Sequence, residues 1–233
     1  MTCKVITVCN QKGGSGKTTI AMQLGGTLSL RGKKVLIIDG DEQNSAVEWA
    51  ALAPTENPFP ARVVNLWKAG KKIHQEIKKY IEDHDFIIID CPPAAESPIA
   101  KSALIVSHLA LVAFIPGALD MLAAVRIRET IEDAMILNQN LISLLVINRV
   151  ELGTKLSQTV INMIPNFGMP VAKTMLHKRV HYGESVLMGC VVHALKKKAK
   201  DAVEEIEQLA GEVIDTMKIS VFTENKVSEY ENV

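Results

Sequence analysis

Residues 12–19 read Lys12-Gly13-Gly14-Ser15-Gly16-Lys17-Thr18-Thr19, and this stretch decides which fold the chain can adopt. It comes shortly after an apolar run at Val5–Cys9, which predicts a buried strand, and it opens a helical pattern over about residues 17–31. The glycines allow the backbone to wrap closely around phosphate groups, with N–H groups directed inward. The N-terminus of the following helix adds a partial positive charge. This stretch is therefore predicted to form a phosphate-binding loop.

Two side chains of this loop carry the expected chemistry. Lys17 can reach the β- and γ-phosphates of a bound nucleotide, and the Thr18 hydroxyl can ligate Mg²⁺. The other residues of the loop are expected to contact the nucleotide as well. A glycine-rich turn that binds no ligand is the alternative, but a strand before the loop and a helix after it are the context that phosphate binding requires.

One departure from the general pattern G-x-x-x-x-G-K-[ST] is informative. Gln11 stands where that pattern has its first glycine, and Lys12 begins the pattern K-G-G-x-x-K-[ST] instead. This deviant Walker A motif resembles that of the ParA/MinD family of ATPases. The resemblance implies that ATP and Mg²⁺ are bound and that Lys12 reaches across a dimer interface to the partner's nucleotide. A lysine beside a phosphate site can stabilise charge in phosphoryl transfer, and a solvated surface lysine is the alternative.

Acidic residues follow two of the predicted strands. Asp39 and Asp41 come directly after one apolar run, and Asp90 comes directly after another. Ligands of open α/β sheets lie beyond the carboxyl ends of the strands, so we expect these acids around the phosphate loop. Asp90 has the Walker B position and is predicted to hold Mg²⁺, through water. By the resemblance, Asp41 orients the attacking water and Asp39 supports the metal shell, although Glu42 replaces the proline of the family segment D-x-D-P-Q. A cap for the next helix is an alternative role for Asp41.

Three later positions also match the family pattern. Ile115-Pro116 follows a predicted strand, and Leu119-Asp120 opens the next predicted helix. Asn148 follows the apolar run Leu144–Ile147, where relatives place an asparagine that contacts adenine. The resemblance therefore implies a nucleotide contact for Asn148. An asparagine at the end of a strand can also be a simple turn residue.

Short apolar runs alternate with longer helical patterns along the chain. The runs are continuous, as strands buried on both faces require. This order predicts a single-domain α/β fold with a mostly parallel sheet and helices on both faces. Together with the phosphate loop, it predicts the P-loop NTPase type. The predicted strands are Val5–Cys9, Val35–Ile38, Phe86–Ile89, Leu109–Phe114, Leu144–Ile147 and a weaker Val171–Ala172, and the predicted helices cover about residues 17–31, 70–82, 119–137 and 155–164.

The C-terminal part divides into a helix and a tail. Apolar residues recur at three- and four-residue spacing from Ala199 to Met217, which predicts an amphipathic helix packed on the sheet. The pattern ends at about Lys218. We therefore assign residues 1–218 to the ATPase domain and residues 219–233 to an acidic tail that we expect to be mobile.

The composition excludes several classes of protein. Lysine and arginine number 26 against 26 aspartate and glutamate, and 48% of the residues are hydrophobic, so the chain is neither disordered nor a globally basic nucleic-acid binder. The four cysteines are Cys3, Cys9, Cys91 and Cys190, without zinc-site spacing, and are expected to be buried thiols of a cytoplasmic protein. No apolar stretch is long enough for a signal peptide or a membrane span.

The neutral total hides a segregation of charge. Residues 171–200 hold seven lysines and arginines against Glu184 alone, whereas residues 201–233 hold nine acids and two lysines. Relatives that bind DNA without sequence preference use an arginine in this region, so salt-sensitive contacts to DNA phosphates are predicted for the basic residues. The candidates are Lys178, Arg179, Lys196, Lys197 and Lys198. A solvated helix start is the alternative for the three consecutive lysines.

The resemblance covers roughly residues 4–200 and implies a small ParA-type ATPase of a plasmid, chromosome or cargo-positioning system. ATP is expected to stabilise a homodimer that binds DNA non-specifically. A ParB-like centromere-binding protein or a cargo adaptor is expected to stimulate hydrolysis, and the expected location is the bacterial cytoplasm, in association with the nucleoid. No membrane contact is expected.

Three other functions remain alternatives. A MinD-like membrane cycle needs a terminal amphipathic helix with a basic face, which the acidic residues 219–233 do not favour. A metallocluster carrier needs cysteines at a dimer face, and Cys91 is the lone candidate. A P-loop biosynthetic ligase would need a small-molecule pocket instead of a DNA-binding surface.

Overall fold

The computed structural model describes residues 3–93, 97–151, 159 and 162–230. Its six strands form one sheet in the order β3-β2-β4-β1-β5-β6, and every pairing between them is parallel. The predicted mostly parallel sheet is therefore confirmed. The strands are β1 Lys4–Cys9, β2 Val35–Asp39, β3 Arg62–Asn65, β4 Phe86–Asp90, β5 Leu109–Phe114 and β6 Ile142–Ile147.

Seven α-helices lie within the described residues. They are α1 Lys17–Leu30, α2 Ser45–Ala51, α3 Ile73–Lys78, α4 Pro98–Leu104, α5 Ala118–Leu137, α6 Val180–Leu187 and α7 Lys200–Tyr230. Short 3₁₀ helices cover Trp67–Lys72, Ile81–Asp83, Ile164–Phe167 and Val192–Ala199. The helix predicted over about 70–82 is thus divided between α3 and its two flanking 3₁₀ turns. Most of the helix predicted over about 155–164 lies outside the described residues.

Alternate side chains of each strand serve two separate apolar cores. Ile6 and Val8 of β1 pack with α1 and α7 on one face of the sheet. Val5 and Cys9 of the same strand pack with α3, α4 and α5 on the other face. Because both faces are covered, each strand must be apolar throughout, which explains the continuous runs in the sequence. The prediction of helices on both faces is confirmed.

Two strand predictions differ from the structure. β3 pairs with β2 at the edge of the sheet and was not predicted, because Arg62 is exposed, the other three residues are only partly buried, and the strand has a charged and a polar end. The weak strand predicted at Val171–Ala172 is not a strand; Val171 forms an isolated bridge with Leu145.

Helix α7 continues beyond Lys218 to Tyr230. The mobility of residues 219–233 stays a prediction.

Candidate functional site

The phosphate-loop sequence connects β1 to the first turn of α1, at the carboxyl edge of the sheet. β1 lies between β4 and β5, so the loop emerges in the middle of this edge. Gly16 precedes α1 with a φ of 87°, a left-handed conformation that glycine adopts without strain. A Cβ atom at Gly16 would lie 2.2 Å from Nδ2 of Asn148, so no other residue fits here without movement of Asn148. Backbone conformation and packing therefore both require the glycine that the motif predicts.

Lys17 is held inside the loop. Only 7% of this residue is exposed, and its Nζ donates a hydrogen bond to the carbonyl oxygen of Lys12 at 3.2 Å. Burial lowers the pKa of Lys17, while the nearby carboxylate of Asp90 opposes that shift. A partly desolvated amine of this kind is well suited to bind an anion, because the anion would replace the hydration that the amine has lost.

A cavity of about 400 Å³ opens in front of the loop. Residues from the loop, from the segment after β2 and from the end of β4 line it together. The lining side chains include Lys17, Thr18, Thr19, Asp41, Gln43, Trp49, Cys91 and Arg149. Six of the eight residues predicted to form the phosphate-binding loop, all except Lys12 and Ser15, are therefore brought to one place with Asp41.

Asp90 and Thr18 meet at the floor of the site. The Thr18 hydroxyl donates a hydrogen bond to the Asp90 carboxylate, and burial raises the pKa of Asp90 to about 7. Oδ1 of Asp90 is buried and has no hydrogen-bond partner among the described residues. An unpartnered carboxylate oxygen next to a hydroxyl is a donor set that Mg²⁺ prefers. Thr18 and Asp90, two of the three residues predicted at the Mg²⁺ site, thus fit that ion.

Asp39 and Asp41 have different surroundings. The buried Asp39 carboxylate accepts backbone N–H hydrogen bonds from Asp41 at 3.0 Å, Ala46 at 2.9 Å and Val47 at 3.3 Å. Asp39 therefore caps the first turn of α2 and fixes the loop before it. Asp41 accepts a hydrogen bond from the backbone N–H of Gln43 at 3.0 Å and lines the cavity. The helix cap that was an alternative role for Asp41 is thus supplied by Asp39. The predicted role of Asp39 in supporting the ligands of Mg²⁺ stays a prediction.

Lys12 is turned away from the phosphate cavity in this structure. Its Nζ lies 2.8 Å from Oδ2 of Asp120, which belongs to the first turn of α5. The Lys12 side chain is 42% exposed, but that of Asp120 is 4% exposed. Lys12 is therefore an ion-paired residue at the start of the loop and not a simple solvated surface lysine.

Asn148 braces the loop from β6. Its Nδ2 donates a hydrogen bond to the carbonyl oxygen of Ser15 at 2.8 Å, and its Oδ1 accepts one from the backbone N–H of Arg149 at 2.9 Å. Asn148 also lines a second cavity, of about 470 Å³, which shares Gly16 and Thr19 with the first. This position next to the phosphate site is compatible with a nucleoside pocket. The adenine contact of Asn148 stays a prediction.

Arg149 is a site residue that the sequence pattern did not predict. It lines both cavities, and its Nη1 donates a hydrogen bond to the carbonyl oxygen of Gly14 at 3.1 Å. Its φ of 54° is unusual for a residue other than glycine, and strained backbone of this kind concentrates at functional sites. The sequence holds no signal for this role, because an arginine after a strand is common on protein surfaces.

Two of the predicted DNA-binding residues are already paired with acids. Lys178 Nζ lies 2.6 Å from Oε1 of Glu151, and Arg179 contacts Asp201 at 2.9 Å and Glu205 at 2.7 Å. Burial raises the pKa of Glu205, but hydrogen bonds from Arg179 and His177 outweigh it and hold that pKa below its ordinary value. The charge of Arg179 is therefore largely neutralised within the protein, and its contact with DNA stays a prediction.

Lys196, Lys197 and Lys198 have a different environment. All three are exposed and lie immediately before α7, and none forms an ion pair with any residue that the structure describes. Lys196 has a φ of 56° and a ψ of −135°, so the chain turns sharply within this group. Within the basic residues 171–200, these three lysines are therefore exposed, and their charges have no acidic partner among the residues that the structure describes.

Cys91, the cysteine considered for a metallocluster, lies in the interior of the protein. Cys91 is 1% exposed and burial raises the pKa of its thiol well above the ordinary value. Among the described residues, no group of three or more His, Cys, Asp and Glu could hold a metal ion. Within the same residues, no helix has the length and apolar character that crossing a membrane requires.

Comparison with known proteins gives concordant matches. The family model described as the CobQ/CobB/MinD/ParA nucleotide binding domain matches residues 6–192. The chain is 32% identical over 209 residues to maintenance of carboxysome distribution protein A of Halothiobacillus neapolitanus, covering 90% of this chain and 95% of that one. It is 28% identical to the chromosome-partitioning ATPase Soj of Treponema pallidum, covering 91% and 97%. An ATP complex of Cyanothece McdA has the same fold, with a TM-score of 0.76, 18% identity and coverage of 94% and 96%.

Proposed function

Because the chain belongs to the CobQ/CobB/MinD/ParA nucleotide-binding family, we propose that it is a Mg²⁺-dependent ATPase that positions a cargo by cycling between a free form and an ATP-bound homodimer on DNA. The observation that carries this proposal is that Lys17, Thr18 and Asp41 line one cavity at the carboxyl edge of the sheet, where Thr18 donates a hydrogen bond to the buried Asp90. This arrangement provides a cation for phosphates, oxygen ligands for Mg²⁺ and a carboxylate for water.

The phosphate chemistry follows from these residues. Backbone N–H groups of Gly13 to Gly16 and the N-terminus of α1 surround the phosphates, and Lys17 contributes a charge-assisted contact. Thr18 and Asp90 would hold Mg²⁺, which neutralises charge on the β- and γ-phosphates when bound. Asp41 orients the attacking water from the wall of the cavity. Asp39 acts on this step through the loop geometry that it fixes.

Dimerisation on ATP is the second part of the proposal. It rests on the family resemblance of Lys12, which is placed at the mouth of the loop and retains 42% side-chain exposure. In the dimer, Lys12 would contact the phosphates bound by the partner. Hydrolysis would then remove the γ-phosphate that this contact requires, so the lifetime of ATP would set the lifetime of the dimer.

The third part concerns DNA and cargo. Lys196, Lys197 and Lys198 carry three charges without acidic partners among the described residues, and a dimer would present two such groups together. Contacts with several phosphates act jointly, which gives sequence-independent binding with steep salt dependence. Relatives named for carboxysome distribution and chromosome partitioning support a positioning role. The partner that stimulates hydrolysis would be a ParB-like protein or a cargo adaptor, and the protein would associate with the nucleoid of a bacterium.

The experiment that tests this function compares DNA binding and ATP turnover in matched variants. We expect DNA binding with ATP and Mg²⁺ but not with ADP, and we expect it to weaken steeply between low and physiological salt. Lys17→Ala should lose ATP binding and, with it, DNA binding. Replacing Lys196, Lys197 and Lys198 by Gln should weaken DNA binding and reduce its salt dependence, with ATP turnover retained.

A second triple variant is the matched control. Lys68, Lys71 and Lys72 are also exposed and belong to a 3₁₀ helix with a similar kink, at Gly70, beyond the edge strand β3. Their replacement by Gln removes the same charge from another surface and should leave DNA binding nearly unchanged. Equal loss of DNA binding in both triple variants would show a nonspecific effect of charge. Tight DNA binding by the ADP form would refute the proposal that ATP controls DNA binding.

A further inference from the structure

The ion pair between Lys12 and Asp120 joins an exposed lysine to a buried carboxylate. Nζ of Lys12 lies 2.8 Å from Oδ2 of Asp120, and the Asp120 side chain is 4% exposed. Its other oxygen, Oδ1, is buried and has no hydrogen-bond partner among the described residues. Lys12 therefore supplies the only hydrogen bond that the described residues donate to this carboxylate.

The surroundings of Asp120 are shaped for this contact. Gly117 precedes α5, and a Cβ atom at Gly117 would lie 2.6 Å from Oδ2 of Asp120, the same oxygen that binds Lys12. The glycine thus leaves the space in which that oxygen lies. Asp120 belongs to the first turn of α5, where the partial positive charge of the helix N-terminus favours a carboxylate.

We propose that Asp120 is a positioning residue that holds Lys12 within its own subunit and must release it before the ATP-bound dimer forms. This inference rests on the proposed function, in which Lys12 contacts the partner's nucleotide. One ammonium group cannot bind Asp120 and distant phosphates at the same time. When Lys12 leaves, a buried carboxylate loses its partner, and this loss opposes assembly in each subunit. The contact between Lys12 and the partner's phosphates must therefore stabilise the dimer by more than the lost ion pair with Asp120 destabilises it.

The decisive variant is Asp120→Asn, which keeps the shape of the side chain and removes its charge. We expect the dimer formed with Mg²⁺ and a slowly hydrolysed ATP analogue to have a dissociation constant at least about tenfold lower than that of the parent. Sedimentation or light scattering over a concentration series measures this constant. With ADP, the variant should remain as monomeric as the parent. Glu129→Gln, an exposed position on the same helix, is the matched control and should change neither value.

The outcomes separate this inference from the proposed function. If Lys12→Gln forms the analogue-dependent dimer as well as the parent does, the cross-subunit contact fails and the inference with it. If Lys12→Gln loses the dimer but Asp120→Asn does not strengthen it, the inference alone is refuted. A weaker dimer in Asp120→Asn would also refute it, because Asp120 would then orient Lys12 productively. Asp120→Ser provides the same comparison if the asparagine variant does not fold.

A structural role of Asp120 would give a different pattern. It would lower thermal stability without strengthening the analogue-dependent dimer, and the loss would not depend on Lys12. The double variant Lys12→Gln with Asp120→Asn distinguishes the two cases. We expect it to dimerise no better than Lys12→Gln alone, since no lysine remains to be released. A gain in dimerisation from Asp120→Asn in the absence of Lys12 would overturn the proposal.

Discussion

Glu205 joins α7 to the wall of the second cavity, and its replacement gives a sharp test of how this wall is held. Its carboxylate accepts hydrogen bonds from Nδ1 of His177 at 2.7 Å, from Nε and Nη2 of Arg179 at 3.0 and 2.7 Å, and from the Tyr182 hydroxyl at 3.3 Å. The variant Glu205→Gln keeps the length of the side chain and removes the charge. It therefore leaves the Arg179 guanidinium with Asp201 as its remaining carboxylate partner.

The expected loss of stability follows from the burial of this pair. The side chains of Glu205 and Arg179 are 10% and 24% exposed, whereas that of Asp201 is 66% exposed and solvent weakens its attraction. Removing one member of a buried ion pair costs about 3–5 kcal/mol, and we take the lower end because neither group is fully buried. A loss of about 3 kcal/mol corresponds to a fall in Tm of roughly 6–12 °C for a chain of this length.

Urea denaturation followed by circular dichroism, repeated over a pH series, measures both the size and the cause of this loss. The pKa of Glu205 is lowered in the folded protein, so its contribution is present above the ordinary glutamate pKa of about 4.3 and is lost as pH falls through the folded value. The parent and the variant should thus differ most at neutral pH and converge in acid.

The control for this prediction is Glu204→Gln on the same helix. Glu204 is 57% exposed and lies 3.6 Å from Lys200, so its replacement should change the free energy of unfolding by no more than about 0.5 kcal/mol. A loss below about 1 kcal/mol in Glu205→Gln, or a loss that does not change with pH, would refute the assignment of Glu205 as a buried ionic anchor.

Three further predictions concern the phosphate site. Asp41→Ala should retain ATP binding but lose turnover, so the variant should accumulate as the dimer. Light scattering with ATP itself measures the dimer, and phosphate release measures turnover. Turnover at the parent rate would contradict the role of Asp41. Asn148→Ala leaves the Ser15 carbonyl without its donor and should weaken ATP binding by about 5- to 150-fold in calorimetry, the factor that corresponds to roughly 1–3 kcal/mol for an unsatisfied buried group. Gly16→Ala should abolish ATP binding while circular dichroism remains like that of the parent, because the strain is confined to the loop.

The sequence alone determined the fold and the core of the phosphate site. Five of the six strands follow from continuous apolar runs, because burial on both faces leaves a signal in every residue of the strand. The phosphate loop follows from eight consecutive residues, since its glycines, Lys17 and Thr18 act within one local turn. Asp90 is expected at the edge that holds the loop because strands of a parallel sheet end at a common edge, and the structure places it there next to Thr18. Its role at Mg²⁺ stays a prediction. All of these inferences depend on local pattern or on a general rule of sheet topology.

The tertiary structure decided which charges are available. Counted along the chain, residues 171–200 are strongly basic and residues 201–233 strongly acidic. In space, however, Arg179 lies against Asp201 and Glu205, and Lys12 lies against Asp120, which is 108 residues away. Likewise, the Asp39 carboxylate accepts a hydrogen bond from the backbone of α2, and the Asn148 amide donates one to the backbone of the phosphate loop. Sequence order carries no record of these pairings, because the energy of an ion pair depends on distance and burial, which only the packing of helices on the sheet sets.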